Sequence, residues 1–138
     1  MKNKYLLIVF ALIINFVLAS NVIANDEFDF NVTEIEILEN GNKVIGKNRG
    51  DISTNDGVTL SADNFVYDKN LNILNANGNV IIIDKIDDYK VYAEEITYNK
   101  NEEIIFAKGS SNAVIESRFN IKTKDLIFLR NKKVLNSN

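Results

Sequence analysis

The 138-residue chain has no cysteine, histidine, proline or tryptophan. Without cysteine there is no disulfide scaffold, no thiolate zinc site and no thiol nucleophile. Without histidine the one side chain that titrates unperturbed near neutrality is missing. Ser-His-Asp triads and imidazole metal sites are excluded with it, so the expectation is a protein that is not an enzyme and needs no cofactor or metal. Sixteen basic against nineteen acidic residues give a net charge of −3. That balance argues against a nucleic-acid partner. Hydrophobic residues make up 46% of the chain, enough for one globular domain.

The N-terminus reads as an export signal. Lys2 and Lys4 precede an apolar run from Tyr5 to Leu18, broken only by Asn15. Val22 and Ala24 then stand as the −3 and −1 positions of a cleavage site, the pattern of a secretory signal peptide over residues 1–24. No cysteine follows the run, so no lipid-modified terminus is expected. The alternative is an uncleaved anchor, a span that Asn15, Ser20 and Asn21 weaken. Cleavage after Ala24 leaves a mature domain over 25–138, and loss of both lysines takes its net charge from −3 to −5. Export without cysteine points to a bacterial periplasm.

From Phe28 onward no helical stripe is sustained. Short runs such as Val80-Ile81-Ile82-Ile83 and Ile104-Ile105-Phe106 are β-branched and aromatic, and Asn, Asp, Gly and Lys clusters separate them. With no proline, every ladder N–H is available. The domain is expected to be all-β.

A repeat underlies these runs. Ala62-Asp63-Asn64-Phe65-Val66-Tyr67 aligns with Ala93-Glu94-Glu95-Ile96-Thr97-Tyr98 and with Thr123-Lys124-Asp125-Leu126-Ile127-Phe128. Each is followed by a polar triplet: Asp68-Lys69-Asn70, Asn99-Lys100-Asn101 and the blurred Leu129-Arg130-Asn131. The chain then turns apolar at Ile73-Leu74, Ile104-Ile105 and Val134-Leu135, and Ala76 with Gly78 and Ala107 with Gly109 come next. A weaker first copy puts Ile37 in the place of Phe65, Asn40-Gly41-Asn42 at the triplet, Asn48 at the alanine and Gly50 at the glycine. Its spacings, from Glu39 through Tyr67 and Tyr98 to Phe128, are 28, 31 and 30 residues.

A unit of that length split by a polar turn is a hairpin, and Asn-Gly is the strongest short hairpin signal. A lone hairpin cannot bury its apolar face, so copies must stack. Four units predict about eight antiparallel strands, as a sandwich, a jelly roll or a barrel.

The pattern Ala62-Asp63-x-Phe65-x-Tyr67-Asp68, then Leu74-x-Ala76-x-Gly78-Asn79-Val80, resembles the OstA-like domain of lipopolysaccharide transport. The resemblance covers about Phe28 to Leu135. It implies a twisted, slightly open β-jelly roll whose apolar interior receives lipid A acyl chains. It also implies periplasmic or outer-membrane-associated work, with lipopolysaccharide and like transport proteins as partners, docking end to end by strand addition or by self-association. Two departures stand out. The fourth copy reaches Asn138 without its Ala-x-Gly, and the long barrel of related assembly proteins is absent from these residues. The chain is therefore read as a free-standing member or a fragment of a longer one.

Alternation along strands names the lining. Ile37, Phe65, Tyr67, Leu74, Ala76, Val80, Ile82, Ile96, Tyr98, Ile105, Ala107, Leu126 and Phe128 are expected to face inward. They form either a lipid groove or the core of a closed sandwich that binds protein partners by its edge. Val134 and Leu135 are the expected partner edge. Residues 120–138 hold Lys122, Lys124, Arg130, Lys132 and Lys133 against Asp125 alone, so Lys132 and Lys133 are candidates for anionic headgroups or for a neighbour's acidic edge (Glu34, Glu36, Glu39). The alternatives are a solvated face and charged protection of the edge strand. Asp84, Asp87 and Asp88 lack the glycine and closing glutamate of a calcium loop. Glu94-Glu95 and Glu102-Glu103 do not form a facing acid pair.

Overall fold

The computed structural model describes residues 27–137, so the expected signal segment over 1–24 and Asn138 lie outside the described residues. One antiparallel sheet runs through the whole domain. Its strands are β1 (Phe28–Leu38), β2 (Lys43–Thr54), β3 (Val58–Ala62), β4 (Asn64–Asp68), β5 (Ile73–Asp84), β6 (Tyr89–Asn99), β7 (Ile104–Ile115), β8 (Phe119–Leu129) and β9 (Val134–Ser137). Sheet order follows chain order, and β3 and β4 share the same two neighbours, β2 and β5. They are the halves of one strand broken at Asp63. The expected eight strands in four hairpins are thus present, with one of them split.

Register sets the repeat. Tyr67 stands opposite Leu74, Tyr98 opposite Ile105 and Phe128 opposite Leu135. In the first hairpin the corresponding pair is Ile37 with Val44. Ile37 therefore occupies the place of Tyr67, and Ile35 that of Phe65. This corrects the sequence alignment by two residues and evens the spacings to 30, 31 and 30. The four hairpin turns at 39–42, 69–72, 100–103 and 130–133 have equal length. The first differs in shape: Glu39, Asn40 and Gly41 all have positive φ, whereas Asn72, Glu103 and Lys133 carry it at the last place of the other three. Aligning on Asn-Gly slides the first copy out of register.

Every long strand bends at its middle, which folds the sheet over on itself. The pairing slips between Val32 and Glu34, Asn77 and Val80, Tyr92 and Glu95, and Lys108 and Ser111. At the slip, β2, β5 and β7 each carry two successive left-handed residues: Asn48-Arg49, Gly78-Asn79 and Gly109-Ser110. Asn48, expected to stand at the alanine, instead fills the glycine's place at φ 61°, which asparagine tolerates better than most residues. Gly78 and Gly109 have no such substitute. Beyond their positive φ, a β-carbon there would collide with the side chains of Asp63 and Glu94. The acidic residue that opens the repeat thus caps the glycine that closes it.

Folding at this crease makes two facing layers. One holds the strand halves that meet at turns 39–42, 69–72, 100–103 and 130–133. The other holds the halves that meet at 55–57, 85–88 and 116–118. Between them lies one apolar core from Phe28 to Phe128.

Candidate functional site

Of the thirteen residues expected to line the interior, all but Ile37 are buried in this core. Phe65, Leu74, Ile82, Tyr98, Ile105, Ala107 and Leu126 have no exposed surface. Directly opposed residues in a sheet share a face, so Ile37, opposite buried Val44, shares the inward face. Yet it is 62% exposed, and Ile35 on the same face is 52% exposed. Ile37 thus lies on the expected face but is not covered, because among the described residues the facing layer does not extend over that corner.

The reason is an offset between layers. Phe28, at the start of β1, packs edge-on against Tyr67 and Tyr98, with ring centroids 4.8 and 5.8 Å away. Tyr89 of β6 meets Phe128 of β8 at 4.4 Å. The layers are slid by about one hairpin, so each layer overhangs at one end. At the β1 end the overhang exposes Ile35 and Ile37. At the other end Phe119, opposite the inward Ile115, is 57% exposed. Beside it a cavity of about 370 Å³ opens among Ile86, Tyr89, Ile115, Phe128, Lys133 and Leu135.

Opposite the crease, the turns of the two layers approach one another, and charges fill the seam. Arg130, almost wholly buried, donates from Nε and Nη2 to Asp84 Oδ2 at 3.2 and 2.8 Å. Its Nη1 donates to Asp56 at 2.8 Å, to the Tyr98 hydroxyl at 2.7 Å, and to Glu103. Lys100 Nζ bridges Asp56 at 2.6 Å and Glu103. Lys133 pairs with Asp87 at 2.6 Å further along. Asp84, 1% exposed, is fully engaged, since its other oxygen accepts the amides of Ile86 and Asp87. Burial alone would raise the Asp56 pKa, but hydrogen bonds from Arg130, Lys100 and Thr54 outweigh it and hold the carboxyl well below the usual range. Burial opposes charge on Arg130 and Lys100 too, and the carboxylates reverse that effect, raising both. Burial, then the hydrogen bond to Glu103, pushes the Tyr98 hydroxyl up.

Several of these residues are singled out in the sequence, but not their pairing, although a signal is present. Lys69, Lys100 and Arg130 are the middle residues of the three polar triplets, and each donates its backbone amide to the turn before it. Asp84 and Asp87, weighed as calcium ligands, and Glu103, weighed as half of an acid pair, are salt-bridge partners instead. The outward charges expected to meet a neighbour also have partners within the chain: Glu36 with Lys47, Glu39 with Lys43, and Lys133 with Asp87. Lys132 is exposed. Val134 and Leu135 lie on β9, which among the described residues pairs only with β8 and so lies at a sheet edge.

No family model and no curated protein matches the sequence. Among solved structures the chain is similar to LptH of Pseudomonas aeruginosa, described as the LptA-homologous periplasmic component of the conserved lipopolysaccharide transport device. The TM-score is 0.72 at 11% sequence identity, covering 80% of this chain and 81% of LptH. The fold implied by the resemblance is therefore the one found, an antiparallel β-jelly roll similar to that of LptH.

Proposed function

We propose that the mature chain is a periplasmic, non-catalytic module of lipopolysaccharide transport. Lipid A acyl chains would lie between its two layers, and like domains would dock at its ends. The observation that supports this reading is the overhang. The inward apolar face runs on past the covered core and comes into the open at Ile35 and Ile37 on one side and at Phe119 on the other. The net negative charge offers an anionic lipid no bulk attraction, whereas burying methylenes contributes about 0.8 kcal/mol each. Docking would use the β9 edge at Val134 and Leu135, by strand addition to another OstA-like domain or a second copy. Charge reversal at Lys132 and Lys133 should weaken that association at low salt, and an unchanged affinity would remove these lysines from the interface.

A second reading is favoured by the filled interior. With Phe65 and Tyr98 wholly buried, the domain could be a closed sandwich that binds protein partners by its edge alone. A photo-crosslinking residue at position 65, with one at outward-facing Asn77 as control, separates the two. Residues 25–138 irradiated with lipopolysaccharide should label at position 65 and not at 77. Labelling at neither position would favour the edge-binding adaptor.

A further inference from the structure

The seam bears on how a filled sandwich could admit a chain. At the crease the strands run on from one layer into the other, and backbone hydrogen bonds join neighbouring strands there, from Arg49 to the Asp63 carbonyl and from Asp63 to the Gly78 carbonyl. Among the described residues none crosses the seam: the turn amides of Lys69, Lys100, Glu116 and Arg130 all bond within their own layer. Side chains alone hold that side shut. The buried part of the closure joins two aromatic contacts, Phe28 with Tyr67 and Tyr98 and Tyr89 with Phe128, to an ionic cluster in which Arg130 and Lys100 are set among Asp84, Asp56 and Glu103.

A buried ion pair is a poor choice if stability is all that is needed, because well-packed apolar residues serve as well or better. It differs in what happens on opening. Separated charges regain their hydration, whereas separated leucines expose apolar surface to water. An ionic closure therefore costs less to open than an apolar one of the same size.

We propose, on the lipid-carrier reading, that the row of ion pairs Asp56–Lys100, Asp84–Arg130 and Asp87–Lys133 is a lateral gate. Opening it hinges the layers about the crease and lets an acyl chain enter sideways along the seam. Entry from the overhanging ends would not require the gate to part.

The chain has no native cysteine, so two can be placed freely. Asp87→Cys with Lys133→Cys replaces the outermost pair and leaves the buried Arg130 cluster intact; Lys133 is 74% exposed at its side chain. A short bifunctional thiol reagent with a reducible bridge would lock the seam, in protein carrying the photo-crosslinking residue at position 65. A melting curve and the single Lys133→Cys protein treated alike control for folding and for the reagent. Labelling by lipopolysaccharide should fall at least tenfold in the bridged protein and return on reduction. Equal labelling with and without the bridge would overturn the gate and leave the carrier reading standing. Absence of labelling in the unbridged protein would overturn both.

Discussion

The crease and the seam close the same sandwich by opposite means. At the crease the chain itself makes the connection: strands pass through it, and paired left-handed residues such as Gly78-Asn79 and Gly109-Ser110 set the bend. Asp63 and Glu94 pack over the two glycines, and Arg49 and Asn79 bind Asp63 at 3.0 and 2.8 Å. At the seam no strand of the described residues crosses, and closure rests on aromatic edges and on one buried arginine among carboxylates. Conformation fixes one side, and side-chain contacts, aromatic and ionic, close the other. A hinge and a latch result from a single hairpin repeat.

Breaking the latch should have the largest effect. Arg130→Met leaves Asp84 charged and buried without its cation, and urea unfolding should show a loss of about 3–5 kcal/mol. Adding Asp84→Asn keeps an oxygen for the Ile86 and Asp87 amides and removes the stranded charge, so most of the loss should return. Failure of the second change to rescue the first would mean that Arg130 acts by packing rather than by charge.

The hinge should be the next most sensitive. Gly78→Val meets both the positive φ and the Asp63 side chain, and a loss of about 1–3 kcal/mol is expected. Asp63→Ala in the same protein removes the carboxylate but keeps the Cβ 2.9 Å away, so it should recover part of the collision and none of the strain. Full recovery would show that φ at this position is unimportant.

Acid tests the latch next. The folded pKa of Asp56 lies below its unfolded value of about 3.9, so the folded state binds fewer protons there. The stability it contributes is present above pH 4 and is lost as pH falls below that value. Melting temperatures measured from pH 6 to pH 2 should drop in the acid range, and Asp56→Asn should flatten that part of the curve. An unchanged slope would remove Asp56 from the latch.

The smallest effect is expected at the overhangs. Ile37→Ser and Phe119→Ser touch exposed apolar surface and should each change stability by under about 0.5 kcal/mol. Labelling by lipopolysaccharide or self-association should fall nonetheless. A large stability loss would mean that these faces are covered within the chain.

Much of the hinge was legible in the sequence, and almost none of the latch. Alternation and the Ala-x-Gly spacing located the inward face because they are local: a residue two places on lies on the same side of the strand. Buried Phe65, Leu74, Ile96 and Leu126 follow from that rule. Ile37 shows its limit. The face was right, but its exposure depends on how far one layer slides over the other, which no single strand records. The first repeat went out of register because Asn40-Gly41 sits in a turn of the same length but a different conformation. Arg130 was read as part of a basic surface, since its partners Asp56 and Asp84 are 74 and 46 residues away and become neighbours only when the sheet folds. Long-range charge pairing leaves no periodic trace, although the recurring base at Lys69, Lys100 and Arg130 was a hint of it.

The central claim, a fixed crease opposite a separable seam, is most directly tested by amide hydrogen exchange with and without lipopolysaccharide. Lipid should speed exchange in the seam turns 55–57, 85–88, 100–103 and 130–133, while the Arg49 and Asp63 amides at the crease keep their protection. Equal changes on both sides, or loosening at the crease with the seam unchanged, would contradict it.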